Sequence, residues 1–236
     1  MNEIRRLLCC VALVSACSVS YGQRRVSADV EIKQVTGKEV KTITKSVYCA
    51  NNGRLVVCFH SPQKSIMTTN ALGETQIYSP DSGEVVVDNS GVMNSRDEML
   101  SLFLIGRMDD LGLGLLGYKL SSSVREDGVI RKIFTTDRTD IASRVEVVFK
   151  DYLPIYCAYY GPGGRIMTKT YLSKYARLGR GAFPYRSTTV NYTPKMDSTV
   201  VRSIYSNIRL DADDPMFDFK VPSDAKVVTI PGFQGR

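Results

Sequence analysis

The sequence predicts an α+β protein that is mostly antiparallel β-structure, with about ten short strands forming a curved sheet closed or half closed over one main helix. Three observations carry that expectation. Apolar and polar residues alternate with a period of two in many short segments, as half-buried antiparallel strands require. Turn compositions such as Asn51-Asn52-Gly53, Asp127-Gly128 and Gly161-Pro162-Gly163-Gly164 separate those segments. A single stretch near residue 100 switches to helical spacing. No linker rich in proline, glycine or serine interrupts the chain, so one domain is the simplest division.

The first strand runs from Val26 to Ile32, where alternation is clean, and Gly37 ends it. Val40 to Tyr48 resumes the pattern and enters the Asn52-Gly53 hairpin turn, which leads into Leu55 to Phe59. A short extended piece around Ile66-Met67 follows. Thr75 to Tyr78 and Glu84 to Val87 then pair across Ser79-Pro80-Asp81-Ser82-Gly83, a turn composition. Later strands are expected at Tyr118 to Val124, Val129 to Thr135, Arg144 to Phe149, Ile155 to Tyr160 and Arg165 to Leu172. Arg186 to Tyr192, Val200 to Ile208 and a terminal Met216 to Val221 complete the set.

The helix has its own signals. Ser95-Arg96-Asp97-Glu98 reads as a capping box, with Ser95 at the N-cap and Glu98 reaching back. Met99, Leu102, Phe103 and Ile105 give the apolar stripe, and Gly106 suits the position just past the end. A further helical turn can start near Asp109-Asp110. The glycine-studded run from Leu111 to Gly117 is then either mobile or closely packed. It lacks the lysine and hydroxyl residue of a phosphate loop.

The N-terminus has the anatomy of a secretory signal peptide: basic Arg5-Arg6, an apolar run from Leu7 to Val14, then small residues before Gln23-Arg24-Arg25. The apolar run is shorter than the ~20 residues of a membrane span. Two cleavage sites are open. Ser20-Tyr21-Gly22 would make residues 1–22 the signal and 23–236 a single soluble domain; the lipobox-like Val14-Ser15-Ala16-Cys17 would leave a lipid-bearing Cys17. Cleavage at Gly22 fits the general anatomy better.

Net charge is +7 over 236 residues, spread thinly rather than gathered in a block. No nucleic-acid recognition motif accompanies it, so the basic balance points to solubility or weak attraction to anionic lipid and acidic partners. Cys49, Cys58 and Cys157 remain after cleavage at Gly22. A two-residue turn at Asn52-Gly53 would set Cys49 opposite Val56 and Cys58 opposite Val47. The two sulfurs would then be diagonal neighbours, too distant for a disulfide, which leaves buried free thiols. No cysteine pair has zinc-ligand spacing, and the single histidine, His60, has no ligand partner nearby in sequence. There is no Gly-x-Ser-x-Gly elbow. Tyrosines gather in the second half (Tyr156, Tyr159, Tyr160, Tyr171, Tyr175, Tyr185), where a binding face and sheet-edge packing account for them equally well.

Three segments resemble the periplasmic lipoprotein carriers of the Lol system, the LolA-like outer-membrane lipoprotein-sorting family. Gly73-Glu74-Thr75-Gln76-Ile77-Tyr78-Ser79-Pro80 is similar to their strand ending Tyr-x-Pro. Gly53 to Pro62 resembles their glycine-led strand ending in proline. Phe217-Asp218-Phe219-Lys220-Val221-Pro222 resembles their Phe-x-Phe-x-x-Pro ending. The similarity runs in order from about Ala28 to Val228. Ser61 where a basic residue is usual, the lack of tryptophan, strand-like sequence close to residue 23 and a long stretch from Tyr156 to Tyr192 mark a divergent member.

The resemblance implies a half-open β-barrel whose concave apolar face is lidded by helix and holds acyl chains. It implies a non-enzymatic, monomeric carrier without a cofactor, metal or nucleic-acid partner. Such a carrier would work in the periplasm of a Gram-negative bacterium between inner- and outer-membrane lipoprotein-sorting components. Candidate cavity residues are Phe59, Met67, Met99, Leu102, Phe103, Val147 and Phe149, with methionine suited to chains of varied shape. The alternative is a lipid- or lipoprotein-sensing regulatory module anchored through Cys17.

Overall fold

The computed structural model describes residues 24–88, 98–138, 141–193 and 197–228. The signal-peptide segment, Cys17 and the Ser95 N-cap position lie outside the described residues. Within them the chain builds one sheet of 14 strands, more than the ten expected. The first six are β1 (Arg25–Thr36), β2 (Glu39–Ala50), β3 (Leu55–Ser61), β4 (Ser65–Thr69), β5 (Thr75–Ser79) and β6 (Glu84–Asp88). Then come a helix α1 (Met99–Leu104), β7 (Lys119–Glu126), β8 (Val129–Thr135), β9 (Arg144–Lys150) and β10 (Leu153–Tyr160). The last are β11 (Ile166–Leu178), β12 (Gly181–Tyr192), β13 (Ser198–Leu210) and β14 (Lys226–Val228).

Their order across the sheet is β14-β6-β5-β4-β3-β2-β1-β13-β12-β11-β10-β9-β8-β7. Two meanders, β1 to β6 and β7 to β13, thus join along an antiparallel β1–β13 seam from Val26↔Leu210 to Thr36↔Thr199. β7 and β14 remain as edges, so the sheet is open rather than a barrel closed by pairing. Short hairpins join the antiparallel neighbours within each meander, and among the described residues the one parallel pair is β14 on β6.

Several expectations are corrected. Met216 to Val221 is not a strand: Pro215–Asp218 forms a 3-10 turn, started by the Asp214 carboxylate accepting from the Met216 amide at 3.0 Å. Arg54 then clamps this segment, Nε donating to the Phe217 carbonyl at 2.9 Å and Nη2 to that of Phe219. The residues between Leu172 and Arg186, outside the expected strands, continue β11 and begin β12. The β2–β3 loop is one residue longer than a two-residue turn. Ala50 and Arg54 close it, with Gly53 at φ 86°, so Cys49 faces Leu55 and Cys58 faces Ser46. The three cysteines are free; Cys49 and Cys157 are buried as expected, whereas Cys58 is only partly so.

The helix is six residues long and packs chiefly on β1 and β2, burying Leu100 and Leu102. Glu98 is its N-cap with extended backbone, not an interior capping-box residue. Its end is as expected: the Gly106 amide bonds the Phe103 carbonyl at 3.1 Å and that of Arg107 the Leu102 carbonyl at 2.8 Å, a Schellman ending. The run after it is the closely packed alternative. Leu113–Leu116 is a 3-10 turn, and a Cβ on Gly112 would stand 2.7 Å from Leu102 Cδ2.

Because side chains alternate across strands, one face of the sheet carries α1 and the core and the other is more polar. The helix-side core falls into two clusters. The first joins Val26, Ala28 and Val30 to Val47, Leu55, Val57, Leu100, Phe183 and Tyr205. The second joins Leu113 and Tyr118 to Phe134, Val145, Val147, Phe149 and Cys157.

Candidate functional site

Residues from both clusters line a cavity of about 380 Å³ on the helix side of the sheet. Its floor comes from β1, β2 and β10 to β13; Met99 and Leu102 of α1 and Leu111, Gly112 and Leu116 of the following segment form the other wall. Apolar walls come from Val30, Ile32 and Leu172 as well. The mid-floor is different in character. Thr170, Ser187, Thr189 and Ser203 place hydroxyls there, with Thr170 Oγ1 2.9 Å from Thr189 Oγ1.

One end of the cavity holds an ion pair. Lys45 Nζ donates to Glu98 Oε2 at 3.1 Å, and the Tyr205 hydroxyl approaches Glu98 Oε1 at 3.3 Å. The Lys45 and Glu98 side chains are only 14% and 12% exposed, so each depends on the other for charge compensation. Burial, then the Glu98 carboxylate, pushes the Tyr205 phenol well above its ordinary range. Burial likewise raises the Cys49 thiol beneath this end and carries Cys157 to about 12. Thiols held protonated in this way are not nucleophiles at neutral pH.

Of the residues expected to line a cavity, Met99 and Leu102 do so. Phe59, Met67 and Phe103 are partly buried and pack against the first cluster. Val147 and Phe149 lie fully inside the second cluster. Sequence reasoning passed over Lys45, Glu98, Tyr205 and the four hydroxyl residues. Lys45 had a legible signal, because it shares strand parity with Val47 and Cys49 and so puts a charge on the apolar face. The contribution of Leu111 and Leu116 depends on a fold-back at Gly112 that no periodicity encodes.

His60 lies on the opposite face, where its Nε2 is 2.9 Å from Ser46 Oγ. The Ser46 hydroxyl donates to Asp29 Oδ1 at 2.7 Å, so it stands between imidazole and carboxylate. A hydrolase triad has the imidazole in that middle place. Asn207 Nδ2 donates to the other Asp29 oxygen at 2.8 Å, and these two bonds hold the Asp29 carboxyl below its usual range. Among the described residues no group of His, Cys, Asp and Glu is disposed to hold a metal ion. No described helix is long and apolar enough to cross a membrane.

No protein-family model and no curated protein matches the sequence. Solved structures do match in fold. A LolA superfamily protein from Nitrosomonas europaea superposes with a TM-score of 0.59 at 12% identity, covering 89% of this chain and 96% of that one. A domain described as an outer membrane lipoprotein-sorting protein domain from Vibrio parahaemolyticus gives 0.58 at 13% identity, covering 84% and 91%. A DUF1329 family protein from Desulfovibrio piger gives 0.57 at 17% identity, covering 86% and 93%. The chain has a LolA-like fold.

Proposed function

We propose that the protein is a non-enzymatic carrier or chaperone that holds an acyl chain of a lipoprotein or lipid in the cavity beneath α1. The observation that carries this reading is the cavity's wall: Met99, Leu102, Leu111 and Leu116 are flexible or branched apolar side chains on the short helix α1 and the segment that follows it. Burying each methylene there stabilises the complex by ~0.8 kcal/mol, so a long chain is held without any specific polar contact. Methionine and leucine adjust to chains of different shape. The hydroxyl floor and the Lys45–Glu98 pair suit the ester or amide that joins an acyl chain to its head, since these offer donors to carbonyl oxygens. Phe59, Met67 and Phe103 pack against the first cluster, which contributes Val30 and Tyr205 to the cavity, and are proposed to repack as it fills.

In this reading the protein works in the periplasm of a Gram-negative bacterium, begins at Gln23 after cleavage near Gly22, and exchanges cargo with lipoprotein-sorting components of the two membranes. A protein that shuttles must diffuse, which favours cleavage before Gln23 over acylation at Cys17.

The test is mass spectrometry of lipids that co-purify with the processed protein, followed by titration of the delipidated protein with a fluorescent fatty acid. Acyl species in the first and saturable binding weakened by Met99→Ala in the second support the reading. Absence of both would overturn it.

A further inference from the structure

The face of the sheet opposite α1 carries a second feature that cargo binding does not use. Across β8 to β13 it presents Arg131, Arg144, Lys169, Arg186 and Arg202 against a single carboxylate, Glu146. Glu146 is already engaged, at 3.1 Å by Arg131 Nε and at 3.1 Å by the Tyr160 hydroxyl. Arg202 stands directly opposite Lys33 across the β1–β13 seam, and Glu31 beside it is already engaged by Lys33 at 3.1 Å. Arg186 Nε is enclosed without a hydrogen-bond partner. The face therefore has more positive charge than its own residues neutralise.

Tyrosines lie among these cations. Tyr156 and Tyr171 pair with ring centroids 5.2 Å apart, and Tyr171 remains 44% exposed. Arg144 covers the Tyr160 ring at 3.9 Å, and Lys169 approaches both Tyr171, at 6.0 Å, and Tyr192, at 5.4 Å. Proteins that read single-stranded nucleic acid stack bases on open aromatic faces. Here the Tyr160 face is occupied by a guanidinium, and Tyr156 and Tyr171 lie against each other. What remains outward is ring edges, phenol groups and long cationic side chains, the combination that settles at a lipid–water interface.

We propose that this face docks on an anionic lipid bilayer, with the arginines and Lys169 on headgroup phosphates and the tyrosines at headgroup depth. The attraction would be electrostatic and reversible, each cation near a negatively charged surface adding a modest increment. Docking would leave the cavity on the far side of the sheet facing away from the membrane, and it does not depend on what the cavity holds.

The test is co-sedimentation of the processed protein with vesicles of equimolar phosphatidylglycerol and phosphatidylcholine, compared with phosphatidylcholine alone. Binding is expected only to the anionic vesicles and should vanish near ~1 M salt, where the screening length falls to ~3 Å. The variant Arg144→Glu/Lys169→Glu/Arg202→Glu should bind at least tenfold more weakly, whereas Lys38→Glu/Lys64→Glu, which changes exposed cations in the β1–β2 and β3–β4 turns, should bind like the parent. Far-UV circular dichroism checks that both variants fold. Binding to neutral vesicles as strongly as to anionic ones would overturn the proposal. So would preferential binding of a single-stranded oligonucleotide, with vesicles failing to compete, or equal loss in both variants.

Discussion

Lys45 on β2 and Glu98 at the start of α1 meet with 3.1 Å between ammonium and carboxylate, and the contact ties the helix to the sheet where the cavity ends. Glu98→Gln would leave the enclosed ammonium without its countercharge. Breaking such a pair costs ~3–5 kcal/mol when buried, and partial exposure here places the expected loss near ~3 kcal/mol in denaturant unfolding. Replacing both partners, Lys45→Met with Glu98→Gln, should recover much of that loss, because an apolar substitute for an ion pair is often neutral. A single variant as stable as the parent would show that water reaches the pair.

Cavity wall and core should separate in two measurements. Leu100 is fully buried in the first cluster, so Leu100→Ala should cost ~2–5 kcal/mol. Phe149→Ala in the second cluster should cost ~3–5 kcal/mol. Met99→Ala, on the cavity wall, should cost less stability yet weaken fatty-acid binding several-fold. If Phe149→Ala impaired binding as much as Met99→Ala at matched folded fractions, the cavity would extend into the second cluster.

Thiol labelling tests the burial of the three cysteines in the protein that begins at Gln23. Cys58 is half-exposed, though burial holds its thiol up at about 11. Cys49 and Cys157 are buried. At neutral pH only Cys58 should react with a maleimide, slowly, and denaturant should expose the other two. Rapid native labelling at Cys157 would mean that the cavity floor opens readily, since Cys157 forms part of it.

Strand placement was legible wherever one face is apolar and the other polar, as in Val26 to Ile32 or Arg144 to Phe149. β7 is exposed along its whole length, so no buried stripe marks it, yet it falls close to the expected Tyr118 to Val124 and pairs with β8. Placement failed at the C-terminus. The C-terminal Phe217 looks like strand sequence because it is apolar amid polar residues. Its burial comes from a tertiary edge contact with Tyr48, rings 5.4 Å apart, and from the Arg54 clamp, neither of which a local pattern encodes. The site was half legible for the same reason: Met99 and Leu102 follow from the helix stripe, whereas the hydroxyl floor comes from serines and threonines of three successive strands, β11, β12 and β13, which carry no apolar signal.

Gly112→Ala addresses the fold-back that completes the cavity wall. Gly112 has φ 76°, and an added Cβ would meet Leu102 Cδ2 at 2.7 Å. The left-handed backbone alone costs ~1–2 kcal/mol for alanine. The methyl must also displace Leu102, which lines the cavity. The expected result is a loss of at least ~1 kcal/mol together with altered fatty-acid affinity. Gly37→Ala, also at positive φ but with open space around its Cβ position, should show the backbone cost without the change in affinity.

Asp29 supplies a pH-dependent contribution whose sign can be worked out. Its carboxyl is lowered first by the Asn207 amide and then by the Ser46 hydroxyl, so the folded state holds the charged form more strongly than the unfolded chain does. A depressed folded value contributes stability that is fully present above the unfolded value of ~3.9 and is lost as pH falls through the folded value. Asn207 itself sits at φ 49° where β1 and β13 shift register, so Asn207→Gly removes the amide while keeping that backbone accessible. The carboxylate-dependent part of the loss should be constant from neutral pH down to about 5 and shrink below ~4, while the Asp29 carboxyl titrates at higher pH in the variant. Denaturant unfolding across that range and carbon-detected NMR titration of Asp29 read the two effects. A loss of equal size at pH 7 and at pH 2 would mean that Asn207 acts only through the backbone of the bulge.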